Sequence, residues 1–196
     1  EIGSGLVGSE MCIRDRIIGE RLYLSPVNTD EVDTYLKWMN EDKTLAVNFG
    51  QYSRMISLKN DLNWLYEPPQ NMHRFAIVLL DNDMLIGNIS LHNIDHLNRN
   101  AYIGIFIGGE AQRNKGYGAE AIRLVLNYGF KTMNLHSINL TVHADNFAGM
   151  SCYKKVGFRE VGRLPEVLFI DGKYVDKVYM SILEHEFSSD SNNVII

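Results

Sequence analysis

The spacing of apolar positions changes period repeatedly along the chain, and each change marks an element. Residues 21–25 (RLYLS) alternate and predict a short strand closed by Pro26. Thr29 or Asp30 can cap a helix running to about Asn40, with Val32, Tyr35, Leu36 and Met39 on one face. Residues 58–67 predict a second helix, stopped by Pro68-Pro69. Two apolar strands, 74–80 and 84–92, meet at the hairpin signal Asp81-Asn82-Asp83. A strand at 102–107 follows the polar turn Asn98-Arg99-Asn100, and a helix over about 116–133 follows that. The order continues with a strand at Ser137–His143, a helix at about 146–155 and strands at 159–163, 167–170 and 174–183. Asp171-Gly172 makes the turn between the last two strands. The expected class is mixed α/β in one domain, residues 17–187, without internal repeats. Residues 1–16 lack either periodicity and read as a disordered, non-native leader; residues 188–196 read as a polar tail.

Composition narrows this picture only a little. Of 196 residues, 45% are hydrophobic and 22% charged, which disfavours wholesale disorder and membrane bundles. The net charge of −5 weighs against nucleic acid as a partner. Two cysteines, Cys12 and Cys152, read as free thiols, and the lack of a secretory start leaves a cytoplasmic location as the default. No histidine spacing suggests a metal site.

Candidate chemistry concentrates in two stretches. In residues 103–120, IGIFIGGEAQRNKGYGAE, an apolar strand gives way to a polar loop and then to a glycine-bearing helix start. Such a start leaves about four backbone N–H groups unpaired and carries partial positive charge. Gly116 and Gly118 would let a ligand approach the backbone, and Arg113 and Lys115 add charge, so the stretch can cradle a phosphate or pyrophosphate. The same glycines also suit an ordinary turn, and neither a Walker loop nor a full dinucleotide fingerprint is present. In the second stretch, Asn146 can cap a helix, Tyr153 follows two turns later on the same face, and Gly157 supplies the stop. On helix grammar alone, a buried tyrosine and a terminal glycine serve packing equally well.

Taken together, Arg113-x-x-Gly116-x-Gly118 and Asn146…Tyr153-x-Lys155-x-Gly157-Phe158 resemble the GNAT superfamily of acetyl-CoA-dependent N-acetyltransferases. Gly19-Glu20-Arg21-Leu22, Trp38-Met39-Asn40, Tyr128-Gly129-Phe130 and Asp171-Gly172-Lys173-Tyr174 are similar to the branch holding ribosomal-protein N-terminal (RimJ/RimL-like) and spermidine acetyltransferases. The resemblance implies a twisted mixed sheet of about seven strands flanked by about four helices. It also implies that the strands at 102–107 and Ser137–His143 splay apart around acetyl-CoA. It assigns the pyrophosphate to Arg113, Asn114, Lys115, Gly116, Tyr117 and Gly118, the pantetheine arm to the backbone of Phe106 and Ile107, and further contacts to Asn146 and Lys155. The acetyl group would pass directly to a primary amine, of a protein N-terminus, a polyamine or another small molecule, with Tyr153 returning a proton to the leaving thiolate. Tyr102 stands where relatives often carry a catalytic glutamate, which leaves His92, His143 and Glu41 as candidate bases. Cys152 is expected to pack into the core rather than carry an acyl group. Trp64 and Tyr66 are candidates for the acceptor pocket or for the core of the second helix. A homodimer is expected by the same resemblance, and the alternative function is a noncatalytic CoA-binding module.

Overall fold

Residues 16–42 and 69–188 are described by the computed structural model. The expected helix at 58–67, Cys12, Trp64 and Tyr66 lie outside these residues, as do the expected leader and tail apart from Arg16 and Ser188. Among the described residues, eight strands form one sheet in the order β1-β2-β3-β4-β5-β6-β8-β7. These are β1 (Ile17–Ile18), β2 (Leu22–Ser25), β3 (His73–Leu79), β4 (Leu85–Asp95), β5 (Asn100–Ile107), β6 (Ser137–His143), β7 (Arg159–Ile170) and β8 (Lys173–Leu183). Three α-helices accompany them: α1 (Val32–Glu41), α2 (Tyr117–Asn127) and α3 (Phe147–Val156).

Strand alternation sorts the sheet into two faces. Ile77, Ile89, Leu91, Ala101, Ile103, Ile138 and Leu140 point into one large core with Ile122, Val125 and Leu126 of α2. The opposite face carries a second cluster, in which Val32, Tyr35 and Met39 of α1 pack on Phe106. The α1 face expected from its spacing is therefore the buried one. Its start differs from expectation: a 3₁₀ turn at Thr29–Glu31 precedes Val32, and Glu31 at the boundary makes no side-chain cap. Asn28 holds that turn instead, its Oδ1 accepting from the Asp30 N–H at 3.1 Å.

Three further details depart from the sequence reading. Among the described residues the sheet has eight strands rather than about seven, because Ile17–Ile18 adds an edge. The expected strands at 159–163 and 167–170 are one long strand, β7, which shifts register against β8 between Leu164 and Leu168. The helix expected to reach residue 133 stops being α-helical at Asn127 and ends in a π-helical turn, Tyr128–Thr132. That wider turn directs the Tyr128 hydroxyl to His73 Nδ1 at 2.8 Å.

Glycine is required where β4 and β5 press together. A Cβ added at Gly87 would lie 2.2 Å from the Phe106 carbonyl oxygen, a backbone atom that cannot swing away. Gly87→Ala is expected to destabilise the fold by about 1–3 kcal/mol in denaturant unfolding. Gly162→Ala, where nothing lies within 4 Å, is expected to change stability by less than about 0.5 kcal/mol. Equal effects at the two positions would contradict this packing.

Candidate active site: a cleft where the sheet splits

Among the described residues, the sheet comes apart at the parallel pair β5–β6. The two strands pair only at Asn100↔Ser137, Ala101↔Ile138 and Tyr102↔Asn139. Beyond Tyr102, β5 stays bonded to β4 while β6 follows β8, as far as the pair His143↔Lys177. A cleft of about 700 Å³ opens between them, walled by residues 103–107, the loop after β5, the start of α2, and α3. Splayed neighbours leave backbone groups without ladder partners, and these are strong, obligatory hydrogen-bonding groups. Gly108 N–H donates to the Ile86 carbonyl at 2.8 Å. By the alternation of an antiparallel ladder, Ile105 and Ile107 therefore turn their N–H groups away from β4 and toward the cleft. Phe106 also lines the cleft, but by the same alternation its N–H faces β4, and its ring stands edge-on to Tyr35 and Trp38 on the α1 side.

The loop after β5 is built to present backbone. Asn114 (φ 61°) and Gly116 (φ 86°) both adopt left-handed conformations, and Tyr117 opens α2 directly afterwards. Asn114, Gly116, Tyr117 and Gly118 all line the cleft. The two basic residues behave differently from the expectation of a charged cradle. The Arg113 guanidinium turns back, donating from Nε to the Ile107 carbonyl at 3.1 Å and pairing with Asp42 at the end of α1. It fastens the loop to β5 and α1. Lys115 does not line the cleft; its Nζ reaches Gln112 Oε1 at 3.3 Å. The positive character of the loop rests on backbone N–H groups and the start of α2 more than on these side chains.

Opposite the loop, α3 brings Asn146, Cys152, Tyr153 and Lys155 to the cleft. Asn146 Oδ1 accepts from Gly149 N–H at 2.9 Å, the cap read from the sequence. Gly157 (φ 116°) ends the helix, and Gly157 and Phe158 N–H groups both return to the Tyr153 carbonyl. Arg123 of α2 donates to the Lys155 carbonyl at 3.2 Å, tying the two helices together behind the cleft. Tyr153 is wedged against Phe158, ring centroids 6.0 Å apart, and burial, reinforced by Cys152, pushes its phenol above the usual value. It therefore stays protonated at neutral pH. Cys152 packs on the core but also forms cleft wall, a feature the sequence did not reveal. Burial raises its thiol, while Lys155 and Arg123 pull the other way.

The candidate bases separate in space. His143 lines the cleft, and burial lowers its pKa, opposed by Asp145 and assisted by Lys177. His92 faces Tyr102 across the β4–β5 ladder, 6.1 Å between ring centroids, and lies over Gly104 of the exposed segment. Burial, and then the charge of Arg74, lower its pKa. Glu41 lies away from the cleft, in a separate hollow of about 820 Å³ with Asp33, Asp42, Glu110 and Trp38. Arg113 lines both spaces. Among the described residues, no group of His, Cys, Asp and Glu is arranged to hold a metal ion, and no helix is long and apolar enough to cross a membrane.

His73, like His92 and His143, has a pKa lowered by burial from 6.5. The unfolded chain thus binds more protons than the folded one as pH falls through 6.5 and below. The stabilisation is complete above that value and is lost on acidification. The melting temperature is expected to fall between pH 7.5 and pH 5.5 by at least about 2 °C. A melting temperature that holds or rises over this interval would contradict the burial of these imidazoles.

A sheet that splits after one short parallel pairing, with a glycine-rich helix start on one side and a capped helix carrying tyrosine on the other, defines an acyl-CoA N-acyltransferase architecture. Residues 21–159 match the acetyltransferase (GNAT) domain family, and the chain belongs to that family. It is 32% identical to the spermidine N(1)-acetyltransferase of Vibrio cholerae over 78% of this chain and 99% of that one. It is 33% identical to the putative ribosomal N-acetyltransferase YdaF of Bacillus subtilis, over 57% of this chain and 61% of that one. The fold superposes on the crystal structure of the Vibrio cholerae spermidine N-acetyltransferase in complex with CoA and spermine with a TM-score of 0.75. That match has 27% identity and covers 85% of this chain and 97% of the other. The chain is accordingly an N-acetyltransferase that moves an acetyl group from acetyl-CoA to an amine.

Proposed function

We propose that the β5–β6 cleft binds acetyl-CoA as one strand-like layer and that Tyr153 protonates the departing thiolate of a direct transfer. The observation that carries this reading is the split itself: it exposes the Ile105 and Ile107 N–H groups beside a helix start and a protonated phenol. The residues suit the ligand. N–H groups at 116–118 meet the pyrophosphate, the edge of β5 meets the pantetheine amides, and Asn146 and Lys155 lie along the opposite wall.

The chemistry then needs little more than placement. A neutral amine nitrogen forms a bond to the thioester carbonyl carbon, and the oxyanion is held by a β5 N–H. As the intermediate collapses, the C–S bond breaks and the Tyr153 hydroxyl gives its proton to sulfur. The amine proton must leave, and the neutral imidazoles of His92 and His143 are the candidate acceptors nearest the exposed edge. Holding the two reactants together can itself remove about 7–11 kcal/mol of barrier.

The acceptor we infer is a polyamine. The likeness to a spermidine N-acetyltransferase over nearly its whole length supports this. So does the hollow beside the cleft, where the carboxylates Asp33, Glu41, Asp42 and Glu110 outnumber the cations Lys37 and Arg113 and would attract a polycation. The test is thiol release from acetyl-CoA with spermidine, spermine, a neutral-flanked monoamine and short peptides with free N-termini. Spermidine or spermine is expected to give kcat/KM at least about tenfold above the peptides. Preference for a peptide N-terminus would overturn the polyamine assignment and favour the ribosomal-protein type of acceptor.

A further inference from the structure

Arg21 enters the site from the bend just before β2, far from the cleft residues in sequence, and meets the phosphate loop. Its Nη1 donates to the Lys115 carbonyl at 2.9 Å, and its guanidinium lies 4.8 Å from the centre of the Tyr117 ring. Its Nε donates to Glu120 Oε2 at 2.8 Å, and its own backbone N–H donates to Glu120 Oε1 at 2.8 Å. A Cβ on Gly116 would lie 3.3 Å from Arg21 Nη2. The guanidinium therefore touches or abuts the last two loop residues, 115 and 116, together with Tyr117 and Glu120 in the first turn of α2.

Glu120 poses an electrostatic problem that Arg21 answers. Its carboxylate sits in the first turn of α2. A negative charge there suits the helix by itself but repels a second anion brought to the same N-terminus. The Glu120 side chain is only 14% exposed, so water screens it poorly. Arg21 pairs with that charge and, by its bond to the Lys115 carbonyl, occupies one peptide oxygen of the loop.

We propose that Arg21 is a positioning residue for the CoA pyrophosphate: it neutralises Glu120 and fixes the 115–117 backbone so that the loop can accept an anion. This rests on the reading that the loop binds CoA, and wild-type protein tests that reading separately. Titration of wild type with CoA by calorimetry must show binding; its failure would remove the loop assignment and this inference together. Given wild-type binding, Arg21→Ala is expected to weaken CoA about tenfold and to raise KM for acetyl-CoA equally. It should leave kcat and the KM for the amine within about twofold, because Arg21 touches neither reacting group. The decisive variant is Arg21→Ala/Glu120→Gln, which also removes the uncompensated charge and should regain at least about threefold of the lost affinity. A merely structural arginine would show no such recovery. Arg21→Gln carries the same comparison should Arg21→Ala fail to fold. CoA affinity within twofold of wild type in Arg21→Ala, or no recovery in the double variant, would overturn the proposal.

Discussion

Tyr153→Phe is expected to lower kcat by about 10²- to 10⁴-fold while leaving CoA affinity within about twofold. The substitution deletes one oxygen and keeps the ring that packs on Phe158. The phenol is the only part of that side chain able to deliver a proton, and burial keeps the proton on it at every pH near neutrality. The loss should thus appear in turnover and not in binding. It should also be relieved when the leaving group is a better one: an acyl donor whose thiol is more acidic needs less protonation, so the wild-type-to-variant ratio should shrink. A variant with full kcat, or one that loses CoA binding and turnover together, would place Tyr153 among packing residues.

Gly118→Trp is expected to act on the other partner of the reaction. A Cβ at Gly118 would stand 3.7 Å from Cys152 Sγ and 3.9 Å from Ile107 Cγ1, between two walls of the cleft. The first carbon fits, and an indole beyond it would occupy space assigned to the cofactor. CoA affinity should fall by about 100-fold, equivalent to about 3 kcal/mol. The fold should persist, because Gly118 has no left-handed φ to lose. Gly118→Ala, which adds only the tolerated carbon, should bind CoA within about threefold of wild type. Undiminished CoA binding by the tryptophan variant would mean that the cofactor lies elsewhere.

Much of this site was legible in the sequence because its signals are local. The Asn146 cap, the Gly157 stop and the left-handed Gly116 are each decided within a few residues, and all three stand where their residue types predict. The strands that bound the cleft were likewise marked by their own alternation. What escaped was decided by distant partners. Arg113 reads as positive charge for a ligand, yet Asp42 and the Ile107 carbonyl claim its guanidinium. Arg21 reads as the start of a strand, yet its partners are 94 and 99 residues away. The stretches 159–163 and 167–170 read as separate strands, yet a register shift against β8 lets them run on as one β7. The π-helical end of α2 left no local signal, since Tyr128-Gly129-Phe130 continues the apolar period of the helix.

The placement of Cys152 beside Tyr153 sharpens one mechanistic question. Its sulfur lies in the cleft wall, so an acyl-enzyme route has a nucleophile within the site. Burial holds that thiol protonated, and a protonated thiol is a poor nucleophile. Direct transfer is therefore the route the site favours, and it separates an active enzyme from a CoA-binding module that merely keeps the fold.

The most direct test is a single-turnover experiment with acetyl-labelled acetyl-CoA and enzyme in excess. Without amine, the protein recovered after denaturation should carry no label; on addition of spermidine, the label should pass to the amine with release of one CoA thiol per acetyl group. Label fixed to the protein before amine is added would contradict direct transfer, and bound CoA with no transfer to any amine would contradict the assignment of this cleft as an acetyltransferase site.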